Sequence, residues 1–149
     1  MISSDAPIPQ PAVLSSVTLT PAERRRFDRH LEQVLEKLPA SVHALLEEVP
    51  LHVEDHPSPR VMRQLGVEYR DDLCGMFTGR ALTARSADAP FELPGFVTIY
   101  REGVLAIAAD QHGQVLAKNL KEEIRKTILH ELAHYHGIDE DELADLGYE

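Results

Sequence analysis

A helix that carries two histidines four residues apart has one side committed before any packing is considered. The segment His130-Glu131-Leu132-Ala133-His134-Tyr135-His136-Gly137-Ile138-Asp139-Glu140 reads as H-E-x-x-H-x-x-G-x-x-E. Residues four apart on an α-helix differ by about 40° in direction and about 6 Å in height. His130 and His134 therefore project alike and can grip a single ion. Glu131, next to the first of them, reaches a water on that ion rather than the ion itself. Gly137 admits the left-handed backbone that ends a helix, so the chain can double back and offer Glu140 as a third ligand. Two neutral imidazoles and one carboxylate leave a zinc position open for water, the arrangement of catalytic rather than structural zinc. A solvated helix with two surface histidines would explain the pair, but not the helix, the glycine and the carboxylate together.

The third ligand is expected close by, because only Tyr135 to Glu149 follow the second histidine. Asp139 or Asp141 would replace Glu140 if the turn closed differently by one residue. Glu142 or Asp145 would suit a different task, orienting a ligand imidazole through its free ring N–H. His136 lies about 200° around the helix from His134 and is expected to face away from the ion.

Composition narrows the rest. At 149 residues the chain is long enough for one domain with a real core. Fifteen basic against twenty-five acidic residues give a formal charge of −10, which argues against non-specific nucleic-acid binding. No apolar run is long enough to span a bilayer, and Met1 to Pro11 lacks the basic and apolar regions of a secretory signal. Cys74 is the only cysteine. It forms no internal disulfide, which fits a cytoplasmic setting, and reads as a small packing residue.

Along the chain, residues 1–19 are rich in Ser and Pro and read as a disordered leader, with a single domain over 20–149. Thr20-Pro21-Ala22-Glu23 is a helix start, and Phe27, Leu31, Val34, Leu35 and Leu38 form the apolar stripe that follows. After Pro39 a short helix runs through Val42, Leu45, Leu46 and Val49. Leu51 to Asp55 alternates as a half-buried strand does, which leaves His52 and His56 as surface or strand-end residues. A short helix over 60–65 is expected to end at Gly66. Leu73 to Thr78 reads as a strand, Leu82 to Phe91 as a loop, and Phe96 to Arg101 as the strongest strand. Glu102-Gly103 is expected to end that strand, with helix over Val104 to Ala109. The longest helix, about 114–136, carries Leu116, Leu120, Ile124, Ile128 and Leu132 on one face, and Asp139 to Leu146 is expected to add a last turn. The sequence contains no repeat, phosphate-binding glycine loop, basic–aromatic patch or Ser-His-Asp arrangement.

Three blocks resemble the short bacterial zincin-like metallopeptidases: Val53-Glu54-Asp55-His56-Pro57-Ser58-Pro59; Leu73 to Gly79 with Leu82-Thr83; and Thr127 to His134 running on to Glu140, with Glu142-Leu143 and Leu146-Gly147-Tyr148 at the close. The resemblance spans roughly residues 20–149. It implies a minimal zincin-like α+β fold, a small mixed sheet lying against the active-site helix and N-terminal helices. It also implies Zn2+ held by His130 and His134, with Glu131 as base. The family usually carries Asp where this chain has Glu140, one methylene longer.

The expected chemistry is hydrolysis of a peptide or protein substrate by a zinc-activated water, with Glu131 as general base. An extended substrate is expected along an edge strand, with Phe96–Arg101 the candidate by position. Tyr135 is expected to pack rather than act. The rival expectation is a metal-binding or interaction domain with little hydrolysis. A retained base weighs against it, because a structural site fills its fourth position and needs no base.

Overall fold

A computed structural model describes residues 18–79 and 95–136. The first helix, α1 (Pro21–Lys37), starts as its sequence predicts. Thr20 Oγ1 accepts the Glu23 backbone N–H at 3.1 Å, and the Thr20 backbone N–H donates to Glu23 Oε1 at 2.8 Å. Both bonds satisfy amides that a helix start otherwise leaves without acceptors. Pro39 separates α1 from α2 (Ala40–Glu48), and β1 (Leu51–Glu54) follows with every second residue inward. Ser58 caps α3 (Pro59–Leu65), and Gly66 ends it at φ 67°, in the left-handed region glycine enters without strain.

A single turn of 3₁₀-helix, Arg70–Asp72, leads into β2 (Gly75–Thr78), so the strand starts two residues later than its hydrophobic pattern suggests. The next strand, β3 (Phe96–Tyr100), passes directly into α4 (Arg101–Ala108). This corrects the expectation that Glu102-Gly103 ends the strand. Both lie buried inside the helix. Gly103 is there because a Cβ would stand 2.0 Å from the Leu73 carbonyl oxygen; α4 rests on backbone that tolerates no side chain. The last described helix, α5 (Ala117–His136), follows a turn in which Ala109 pairs with Val115. Leu116 precedes that helix and is 54% exposed, so the buried stripe begins at Leu120.

The sheet order is β1-β3-β2, with β1 parallel and β2 antiparallel to β3. The expectation that Phe96–Arg101 supplies a sheet edge is therefore wrong. That strand is central, and its apolar density reflects burial on both faces. Register aligns Leu51 and Phe77 with Val97, and Val53 and Gly75 with Ile99. This face meets α5, and the core runs from Val97 and Ile99 through Leu120, Ile124, Ile128 and Leu132 to Phe27, Leu31 and Val34 of α1. The α+β expectation holds. Two polar clamps tie the elements together. Arg101 donates to Asp28 and Asp55, which also receives Arg24. Arg70 makes a two-pronged pair with the buried Glu102 carboxylate, at 2.7 and 2.6 Å.

Candidate metal centre

The last turns of α5 bring together the three residues that the helical spacing selects. One ligand atom each from His130, Glu131 and His134 lies within 4.8 Å of the others. The imidazole centroids are 4.6 Å apart, edge to face. Glu131 is 5% exposed, whereas the His134 side chain is 51% exposed. The pair of rings thus opens outward while the acid is held inward. Glu140, Gly137 and the alternative acids Asp139, Asp141, Glu142 and Asp145 lie outside the described residues, as do residues 1–17 of the expected leader, the 82–91 loop and the expected final turn.

The cause of this arrangement lies in β2. Gly75 sits where α5 crosses the strand. A Cβ there would stand 2.7 Å from Thr127 Cγ2, 2.9 Å from the Thr98 carbonyl oxygen and 3.4 Å from Glu131 Cγ. Thr127 Oγ1 is turned back to the Glu123 carbonyl at 2.8 Å, and the methyl faces the strand. Helix and strand therefore meet at backbone distance. Phe77, next on the same face, sets its ring 5.6 Å from that of Tyr135, which is fully buried and donates to a Glu48 carboxylate oxygen of α2. Tyr135 packs, as expected.

Burial raises the Glu131 pKa above the ordinary carboxylate value; the His130 charge and a hydrogen bond from the Phe77 backbone oppose that rise. Glu131 Oε1 is buried and has no hydrogen-bond partner among the described residues. His134 Nδ1 lies 3.1 Å from it, within ion-pair reach but without the alignment of a hydrogen bond. An acceptor desolvated and left over in this way is costly unless something polar reaches it. Two imidazoles plus such an oxygen suit a cation carrying a water, so the donor set fits zinc.

Two further groups sense the Glu131 charge. Burial, reinforced by Glu123 and Glu131, pushes the Cys74 thiol up to about 11. Burial also raises the Tyr100 phenol, with Glu54 and Glu131 adding to it. Sequence reading assigned no site role to Gly75, Phe77, Thr127 or Tyr100. Gly75, Phe77 and Thr127 lie in blocks that resemble the family, and that was their only signal. His52 is exposed and stacks on Phe96, away from the three residues. A cavity of about 460 Å³ between α1, α4 and the 109–115 turn is lined by none of the three.

The sequence profile of the family described as zincin-like metallopeptidase matches residues 46–148. The chain belongs to that family. The match begins within α2, so α1 packs on α5 from outside the matched region. No curated protein matches the chain. Family membership implies a metal, and the His130, Glu131 and His134 group is the one among the described residues that could hold it. No helix among those residues is long and apolar enough to cross a membrane.

Proposed function

We propose that this protein is a zinc-dependent peptidase, with His130, His134 and Glu140 as ligands and Glu131 as general base. The observation that carries this reading is the buried Oε1 of Glu131, which accepts no hydrogen bond among the described residues and belongs to a carboxylate within 4.8 Å of ligand atoms of both imidazoles. A structural metal site has no use for such a group. When bound, zinc would lower the pKa of a coordinated water to about 7. Glu131, buried beside the two imidazoles, would be the group placed to accept a proton from the attacking water and to return it to the leaving nitrogen. One residue would thus serve both half-reactions, and burial, which raises its pKa above the ordinary carboxylate value, favours its holding the proton between them.

The substrate lies extended along β2 rather than β3. Tyr100 N–H donates to the Cys74 carbonyl at 2.7 Å, which fixes the antiparallel ladder. Hydrogen-bonded pairs alternate along such a ladder, so Met76 and Thr78 bond to β3 while the amides and carbonyls of Gly75 and Phe77 face outward. Among the described residues β2 has no second neighbour. A peptide added there would pass beside Glu131.

The test is to measure zinc in the purified full chain and in His130→Ala, His134→Ala and Glu140→Ala, then assay a peptide library with and without chelator. Stoichiometric zinc lost in all three variants, with chelator-sensitive cleavage, supports the proposal. Zinc without cleavage of any peptide would favour a metal-binding domain instead.

A further inference from the structure

Between α1 and α5 lies a second cleft, of about 270 Å³, lined by none of the three metal-centre residues. Both helices bring cations to it. Lys37 comes from the last turn of α1, and Lys121 and Arg125, four residues apart, come from one side of α5. Gln33, one turn before Lys37, adds a side-chain amide, and the buried Val34 and Leu38 form an apolar wall.

The three cations lack acidic partners. Among the described residues Arg24, Arg70 and Arg101 each hold a carboxylate, but Lys37, Lys121 and Arg125 form no ion pair. Glu122, the one acid in the lining, is exposed and pairs with none of them. Like charges around one cleft repel one another, in a chain whose twenty-five acids outnumber its bases. The helix dipole favours a cation at the end of α1. That accounts for Lys37, but not for the two cations that meet it from α5.

Three cations against one carboxylate leave a double positive excess, and a phosphate monoester carries about −1.5 to −2 at neutral pH. Arg125 offers a planar fork of N–H donors, the lysines point charges and Gln33 an amide N–H, the donors that phosphate oxygens accept from. We propose that this cleft binds a small phosphate monoester, with its phosphoryl group among Lys37, Lys121 and Arg125 and its organic part on Val34 and Leu38. The formal charge of −10 repels an anion at long range, so these contacts must supply the affinity. Because α1 lies outside the region matched by the family profile, half of the site comes from outside the shared domain. The proposal is independent of the peptidase reading.

Phenyl phosphate is the probe, titrated into the full chain with zinc supplied and followed residue by residue by NMR. Amides over 33–38 and 121–125 should shift and saturate, half-way at about 1 mM, the reach of about ten heavy atoms at the efficiency of small ligands. Lys121→Gln and Arg125→Gln should each weaken binding about tenfold, the loss of one charge-assisted contact. Arg63→Gln, the same charge change on α3 and outside the cleft, should leave binding unaltered. Benzoate, with the ring but a single charge, should bind at least about tenfold more weakly. Shifts at the turn carrying His130 and His134 without shifts in the cleft, or no saturation at all, overturn the proposal. An equal loss in Arg63→Gln also overturns it, because net charge alone would then attract the anion. Benzoate binding as tightly as phenyl phosphate removes the phosphate assignment.

Discussion

The Cβ that Gly75 lacks would stand 2.7 Å from Thr127 Cγ2, closer than packed carbon atoms come. Helix α5 and strand β2 are held at a separation that only glycine permits. Gly75→Ala should therefore force them apart at Glu131, costing about 1–3 kcal/mol as overpacking does. The expected outcome is a lower urea midpoint together with a loss of peptide cleavage larger than the loss of folded protein. Gly75→Ala combined with Thr127→Ser, which removes the nearer methyl, should recover part of both.

Glu131→Gln keeps the shape of the side chain and removes its basicity. Zinc content should stay stoichiometric, and cleavage should fall by at least about 10²-fold, the usual worth of a positioned base. Unchanged turnover in this variant would show that another group takes the proton.

The Arg70–Glu102 pair places charge where exposure is 20% and 7%. Removing the arginine alone leaves a buried carboxylate uncompensated, a loss of about 3–5 kcal/mol in comparable pairs. Arg70→Ala should therefore lower the melting temperature more than Arg70→Ala with Glu102→Leu, which abolishes the orphaned charge.

The hydrogen bond from Arg24 holds the Asp55 carboxyl below its ordinary 3.8; burial opposes this, and Arg101 reinforces it. A pKa depressed in the folded state contributes stability above the unfolded value and loses it on acidification. That contribution should be intact at neutral pH and decline as pH falls through 3.8 toward the lower folded value. Asp55→Asn should be less stable than wild type at neutral pH. The gap in urea midpoint between the two should close as pH drops through that window.

Cys74, with its thiol pushed up from 9.0 to about 11, carries little thiolate at neutral pH. Iodoacetamide should label it about a hundredfold more slowly at pH 8 than an unperturbed thiol in a short peptide, the ratio of their thiolate fractions. Fast labelling would mean that the segment before β2 opens.

What the sequence declared most clearly was local. Thr20 with Glu23, the helix end at Gly66, and the His130–His134 spacing each concern residues within one or two helical turns, where backbone geometry alone fixes the outcome. The pairing of strands is not local. Phe96–Tyr100 has the apolar density of a buried strand, but nothing in it says that both edges are occupied. Gly103 looked like the end of the preceding strand, where glycine is common. Its actual role depends on the Leu73 carbonyl, thirty residues away in sequence. The same holds for Gly75 against Thr127. A glycine required by a neighbour's backbone looks, in one dimension, like any other glycine.

The central place of β3 has a consequence for how the molecule is made. Its two sheet neighbours, β1 and β2, both precede it in the chain and do not pair with each other. During synthesis each of them waits without a ladder until Phe96–Tyr100 arrives and slots between them. Long-range pairing of this kind is slow to nucleate. The sheet should appear in one late, concerted event, and any nascent chain stalled before residue 96 would present two bare strands to chaperones and to its own kind.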